Sequence, residues 1–327
     1  RALNRAASAN LRACWNRGIR VFSHSGFRRP DRFQNAKMLR KPSTHCAIGQ
    51  SIKLALKLST SGSLERDIFL TPFMEKKTLP IISETTSDAV RITINSPSSR
   101  NGLDLHMMEE LSERIRWANG VENARFLILE GVAPWFCIGG SGKFMEETIA
   151  LKSAEARQAA SAAAQQVILE FLRSRLFTVA LIDGLAAGAG ADLALAADLI
   201  LCTERARFSL LYGRLGLIPD AGFMLLEWRM GSRSLLAYAE SKILKADDLQ
   251  SSGIAELVSN PDFDEILHML RRRIRCSSQN FAIAKALRND EIFKNIEHYL
   301  SHVSAIQAER LTDPDTISRL LHSSNTQ

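Results

Sequence analysis

The chain has 327 residues, 46% of them apolar and 24% charged, with a net charge of +7. These are the proportions of a folded globular chain, and no apolar run approaches the ~20 residues that cross a bilayer. The charge is uneven: residues 1–73 hold 14 Lys+Arg against 3 Asp+Glu, a net +11, which leaves −4 for the remainder. A nucleic-acid face on the main body therefore has no support from charge.

Residues 1–73 are rich in Arg and Ser, and no acid occurs before Asp31. The segment reads as a disordered basic extension, with Met74 a plausible start for the folded part. The alternative is an organelle transit segment, which has this composition. The expected location is cytoplasmic, or the mitochondrial matrix in the transit case. Cys14, Cys46, Cys137, Cys202 and Cys276 form no CxxC pair, which suits reduced thiols in an intracellular protein. The histidines make no HExxH pattern, and no Walker loop or GxGxxG is present, so neither a metal nor a bound nucleotide cofactor is expected.

The first strand signal is Ala89–Ile94, which alternates apolar and polar residues. A loop at Pro97–Arg100 and Asn101-Gly102-Leu103 lead into a helix over Leu105–Ala118, with Met107, Met108, Leu111 and Ile115 on one face. Phe126–Leu129 reads as a buried strand. Trp135-Phe136-Cys137-Ile138-Gly139-Gly140 follows, and a helix begins at Lys143. Ser153–Arg173 is an alanine-rich helix.

The next stretch organises the rest. Val179–Ile182 is a short apolar strand, Gly184 ends it, and Gly188-Ala189-Gly190 opens a helix over Ala191–Ala197. A strand, a glycine turn and a helix N-terminus bring free backbone N–H groups to one point, where developing negative charge is stabilised. Asp192 lies in the first turn of that helix, and Asp220 follows the turn Gly216-Leu217-Ile218-Pro219. Helices are expected near Met224–Met230 and Ser234–Leu244, and another is opened by Ala246-Asp247-Asp248. A strand follows over Gly253–Val258, and residues 263–288 and 290–321 read as amphipathic helices. Strands alternating with helices imply crossover units of an α/β fold.

GAGADLALAADLI, FSLLYGRLGLIPDAG and WFCIGG, in their order along the chain, resemble the signature blocks of the enoyl-CoA hydratase/isomerase (crotonase) superfamily. Within it they are closest to the dienoyl-CoA isomerases and ring-1,2-epoxyphenylacetyl-CoA isomerases. The resemblance implies a crotonase (ClpP-like) ββα spiral core, here residues 74–260, and a C-terminal helical trimerisation region over 261–327. It also implies an acyl-CoA or acyl-carrier thioester as substrate, coenzyme A entering only as part of that substrate, and a homotrimer or hexamer with no nucleic-acid or membrane partner.

The backbone N–H groups of Ile138 and Ala189 match the family's oxyanion hole, flanked by Gly139, Gly140, Gly188 and Gly190. Asp192 matches the first catalytic acid of the hydratases, one methylene shorter. The second falls at Tyr212, which argues against ordinary hydration. Asp220 resembles the acid/base of the isomerases and is the expected proton shuttle. A helix N-cap is the ordinary alternative for Asp220, and dipole complementation for Asp192. Tyr212 is expected either to hydrogen-bond the acyl group or to sit in the core. Phe223 replaces a customary glycine and is expected to narrow the acyl pocket. Ser141-Gly142 replaces the usual Asp-Leu, which puts the support of the oxyanion loop in doubt. Lys143 and Lys285 are the candidate cations for the coenzyme A phosphates. Asp198 is expected to tie down a turn, and Arg271-Arg272-Arg273 to form a solvated helix face.

The reading is a thioester isomerase acting through an enolate. Hydration or hydrolysis through Asp192 is the enzymatic alternative, and a non-catalytic thioester-binding subunit the other.

Overall fold

The computed structural model describes residues 79–325, so the expectations for residues 1–73 lie outside the described residues. The chain enters through a hairpin, β1 (Ile81–Thr85) and β2 (Ala89–Ile94), and crosses over through α1 (Leu105–Gly120). A unit of long strand, short strand and helix then recurs. It comprises β3 (Phe126–Gly131), β4 (Trp135–Cys137) and α2 (Gly142–Ala150), and the long α3 (Ala154–Leu172) follows. It recurs as β5 (Phe177–Ile182), β6 (Leu185–Ala187) and α4 (Ala189–Leu195). The third copy is β7 (Leu199–Cys202), β8 (Arg207–Ser209) and the single turn α5 (Tyr212–Leu215). The long strands share one sheet in the order β1-β2-β3-β5-β7-β10, parallel except for β1. The short strands share the other, in the order β4-β6-β8-β9. This is the mixed α/β ββα spiral of the crotonase fold.

The apolar runs explain the layering. Leu127, Leu129, Ala180, Ile182, Ile200 and Cys202 face the main core, and the alternate Phe126, Ile128, Val179, Leu181 and Leu201 face a second cluster. A parallel strand covered on both sides reads as a nearly continuous apolar run.

After α5 come α6 (Gly222–Met230), α7 (Ser234–Glu240), β9 (Leu244–Lys245), α8 (Ala246–Ser251) and β10 (Glu256–Leu257). The expected helix to Leu244 stops at Glu240, where Ser241 turns left-handed with φ 46°, and Leu244 pairs with Phe208 instead. Four helices close the chain: α9 (Phe263–Arg273), α10 (Ser278–Ile292), α11 (Ile296–Arg310) and α12 (Pro314–Asn325). The sequence suggested two. Ser277 caps α10 by accepting the Asn280 N–H, and Pro314 opens α12 where its missing N–H costs nothing. Ile266, Leu267 and Leu270 of α9 cover the second face of the large sheet.

Candidate active site

One wall of the site is made of two glycine turns. β4 and β6 are paired in parallel, Trp135 with Leu185 and Cys137 with Ala186, so their C-terminal ends emerge side by side. Gly139 (φ +89°) and Gly188 (φ +53°) then bend the two chains into each other in conformations that favour glycine. The approach is close: a Cβ on Gly190 would lie 2.1 Å from the Cys137 carbonyl oxygen, and one on Gly139 would lie 2.9 Å from the Ala189 nitrogen. Ala189 is the first residue of α4, where a helix leaves its N–H groups without intrahelical acceptors. Ile138 and Ala189 both line the same cavity.

The Leu103 N–H donates to the Gly139 oxygen at 2.7 Å, and the Ser141 N–H donates to the Leu103 oxygen at 2.9 Å. Ser141 also caps α2 by accepting the Phe144 N–H at 3.2 Å. The Ser141-Gly142 departure from the family pattern thus keeps this turn supported. Burial pushes the neighbouring Cys137 thiol up to about 12, which rules it out as a nucleophile.

The opposite wall carries the acid. The cavity of about 110 Å³ is bounded by Met108, Phe144, Met145, Leu215, Leu311 and Leu320, with Asp220 and Tyr212 among its polar groups. Asp220 follows the Gly216–Pro219 turn but caps nothing, since Ala221 occupies the cap position of α6. Its carboxylate accepts from the Tyr212 hydroxyl at 3.2 Å and from the Ser161 hydroxyl at 3.3 Å. Burial pushes its pKa up to about 6, and the nearby polar groups of Tyr212, Gln307, Ser161 and Gln165 hold it back from rising further. The Tyr212 phenol also lies 2.9 Å from Asp192, whose same oxygen accepts the Ala221 N–H at 3.1 Å. Asp192 is fully buried and does not line the cavity; Tyr212 stands between them. The turn that presents Tyr212 begins at Leu211 with φ +51°, a left-handed conformation that costs a leucine about 1–3 kcal/mol.

The remaining candidates separate. Gly140 and Gly188 line the cavity, whereas Gly139 and Gly190 form the contact beneath it. Lys143 is exposed on α2 and pairs with Glu147 at 3.7 Å. Lys285 does not reach for a nucleotide: it is buried, with its ammonium 2.6 Å from Asp198 and 3.2 Å from the Leu176 carbonyl. A side chain that anchors α10 to the sheet in this way has no donor left facing solvent. Asp198 does tie a turn together, accepting from the Thr178 N–H at 2.9 Å and pairing with Arg288 at 3.2 Å. Phe223 does not narrow the pocket but packs on Tyr238, with ring centroids 5.0 Å apart. Arg271 and Arg273 of the basic helix end are spoken for by Asp88 and Glu256. His298 and His302 sit one turn apart on the exposed side of α11, and among the described residues no third ligand joins them.

Ser161, Gln165 and Gln307 were not singled out from the sequence. Nothing near them distinguishes a serine in an alanine-rich helix, or a glutamine 87 residues from the acid it supports. Gln307 clamps the loop before Asp220 from both sides, donating to the Ile218 oxygen at 2.7 Å and accepting its N–H at 3.2 Å.

A sequence profile described as Enoyl-CoA hydratase/isomerase matches residues 84–314. The chain belongs to that family of enzymes. The mouse ethylmalonyl-CoA decarboxylase is 26% identical over 220 residues, covering 61% of this chain and 67% of its own. The 1,2-epoxyphenylacetyl-CoA isomerase of Escherichia coli is 25% identical over 154 residues, covering 47% of this chain and 59% of its own. The first four curated relatives are spanned over 46% to 72% of their length. The crystal structure of an enoyl-CoA hydratase from Bacillus halodurans superposes with a TM-score of 0.69 at 22% identity, over 74% of this chain and 99% of that one. At that identity it speaks for the fold.

Proposed function

We propose that this chain is an isomerase of a neutral enoyl thioester, with coenzyme A or an acyl carrier protein as the thiol. Asp220 takes a proton from one carbon and returns it to another while the amides of Ile138 and Ala189 hold the enolate oxygen. Opening of an activated ring through the same enolate is the variant reaction. The observation that carries the reading is the asymmetry of the cavity: two converging backbone turns on one side and, among the described residues, a single cavity-lining carboxyl group, Asp220, on the other. Removing an α proton needs a base poised near neutrality and preorganised donors aimed at the developing oxyanion. A buried carboxyl with a pKa of about 6 meets the first requirement.

Hydration needs a second acid facing the substrate, and Tyr212 stands there instead. Decarboxylation, which the mouse relative is named for, would bring a substrate carboxylate into the cavity. Among the described residues no cation lines that cavity to receive it, and Asp220 would repel it. Lys143 is the cation proposed to meet the thiol carrier's phosphates. A homotrimer is likewise proposed, supported by exposed Leu235, Leu236, Ile283 and Leu287.

The test is solvent-deuterium exchange across a panel of 3-enoyl, dienoyl and malonyl-type thioesters. The expected result is deuterium at the α or γ carbon, lost by about 10²–10⁴-fold in Asp220→Asn with thioester binding retained. Carbon dioxide release from a malonyl-type thioester by both proteins, without exchange of an enoyl thioester, would replace this reading by decarboxylation. Water addition that depends on Asp192 would replace it by hydration.

A further inference from the structure

We propose that Tyr212 joins Asp192 and Asp220 into one proton-sharing unit, so that Asp192 acts on the substrate only through the phenol. This rests on the reading of Asp220 as the acid/base. It assigns Asp192 a positioning and proton-holding role in place of a catalytic one.

The geometry leaves little room for independent action. One phenol oxygen lies 2.9 Å from Asp192 Oδ2 and 3.2 Å from Asp220 Oδ2. A phenol carries a single O–H, so with both carboxyl groups ionised it serves only one of them. With one proton added, both phenol contacts are satisfied: the protonated carboxyl donates to the phenol oxygen and the phenol donates to the other carboxylate. Two carboxyl groups held this close around one donor favour a single shared proton over double ionisation.

The resting proton has two places, and its place decides whether Asp220 can act as a base. When it lies on Asp220, the Asp220 O–H passes its proton to Tyr212 Oη as the Tyr212 O–H passes its own to Asp192 Oδ2. The phenol ends as it began, one proton has moved to Asp192, and Asp220 is ionised. Asp220 then takes a second proton from the substrate carbon as the C–H bond breaks and the enolate forms, and returns that proton to the other carbon, which leaves the pair with its single resting proton. Burial together with both neighbouring aspartates pushes the Tyr212 hydroxyl well above its ordinary range, so the phenol relays without becoming a phenolate.

Ser161 and Gln165 face the acids from α3, Gln307 from α11, and Tyr299 of α11 is a further titratable group near them, itself raised by burial and by both aspartates. Among the described residues no Lys, Arg or His lines the cavity. The Ala221 N–H donated to Asp192 fixes its carboxyl toward the phenol, away from the acyl group.

The test uses the full chain in two measurements. Titration by ¹³C NMR with carboxyl-labelled aspartate reads the unit without substrate. In the wild type the signals assigned through Asp192→Asn and Asp220→Asn should each move in the same two steps, and each Asn variant should leave the other carboxyl with one step. Two carboxyl groups titrating separately, each in one step at an unrelated pH, would overturn the proposal. Deuterium-exchange rates of Asp192→Asn, Tyr212→Phe and the double variant read the coupling. Each single change is expected to slow exchange by about 10-fold or more, and the double variant to be no slower than the worse single one. Losses that multiply would mean that Asp192 acts by its own route. Should Tyr212→Phe fail to fold, the Asp192→Asn titration decides alone. A wild type that shares the proton but exchanges no thioester hydrogen would break the isomerase reading and leave the shared proton standing.

Discussion

The two walls of the cavity are built on opposite principles. The amide wall is backbone: two parallel strand ends and glycine turns packed so tightly that a methyl group on Gly190 would meet the Cys137 carbonyl at 2.1 Å. It depends on neighbours in the sheet and on glycines whose positions leave no room for a Cβ. The acid wall is side chain. Asp220 rides on a loop that the sheet does not hold, and helices from the end of the chain pin it instead. Gln307 grips Ile218, Arg310 donates to the Gly216 oxygen at 3.1 Å, and Arg157 of α3 donates to the Ala308 oxygen at 3.1 Å. The lesson is that amides are positioned by local pairing, whereas a buried acid needs long-range support.

Substitutions should separate the walls. Gly190→Ala has the largest expected effect, because the overlap is with backbone that cannot rotate away. A loss of more than about 4 kcal/mol in urea unfolding is expected, with little soluble protein. A stable, active Gly190→Ala protein would mean that the turns are not in contact. Lys285→Ala should cost about 3 kcal/mol, since buried Asp198 would lose its nearest counter-charge and keep the more distant Arg288. Thioester affinity of the folded protein should not change, which calorimetric titration would measure; a loss of affinity would return Lys285 to the binding site.

Asp220→Asn should act on stability with the opposite sign. The folded carboxyl sits at about 6 against an ordinary 3.8, so the stability its protonation supplies is complete below about pH 4 and lost as pH rises through 6. Asparagine cannot ionise, so the variant should match the wild type at pH 4 and exceed it by up to about 3 kcal/mol at pH 8. Exchange by the wild type should fall on the acid side of pH 6 as the base is protonated. Gln307→Ala is the mildest, removing two hydrogen bonds to the Ile218 backbone for about 1–2 kcal/mol. Its kcat should drop while KM holds, because it loosens the acid wall alone. Equal changes in both would mean that the walls are not independent.

Much of the first wall was legible in advance. Phe126–Leu129 and Val179–Ile182 are continuous apolar runs because both faces of those strands are covered, and the glycines mark turns that exclude a Cβ. Lys285 misled for a physical reason: an isolated lysine in an amphipathic helix looks the same whether it faces water or a buried aspartate 87 residues earlier. Phe223 misled in the same way, since its ring turns onto Tyr238. The breaks between α9 and α12 were hidden because apolar spacing persists across a short connection while the backbone direction changes.

By itself the sequence determined the alternation of strands and helices through the core, the places where backbone must bend without a side chain, and the pair of acids around a glycine-rich turn. These are local matters of pattern and steric permission. Only the tertiary structure decided that Asp220 faces the cavity, that Asp192 is screened behind a phenol, and that helices from the far end of the chain hold the acid in place. Burial and hydrogen-bond partners arise from segments distant along the chain, and no spacing within one segment encodes them.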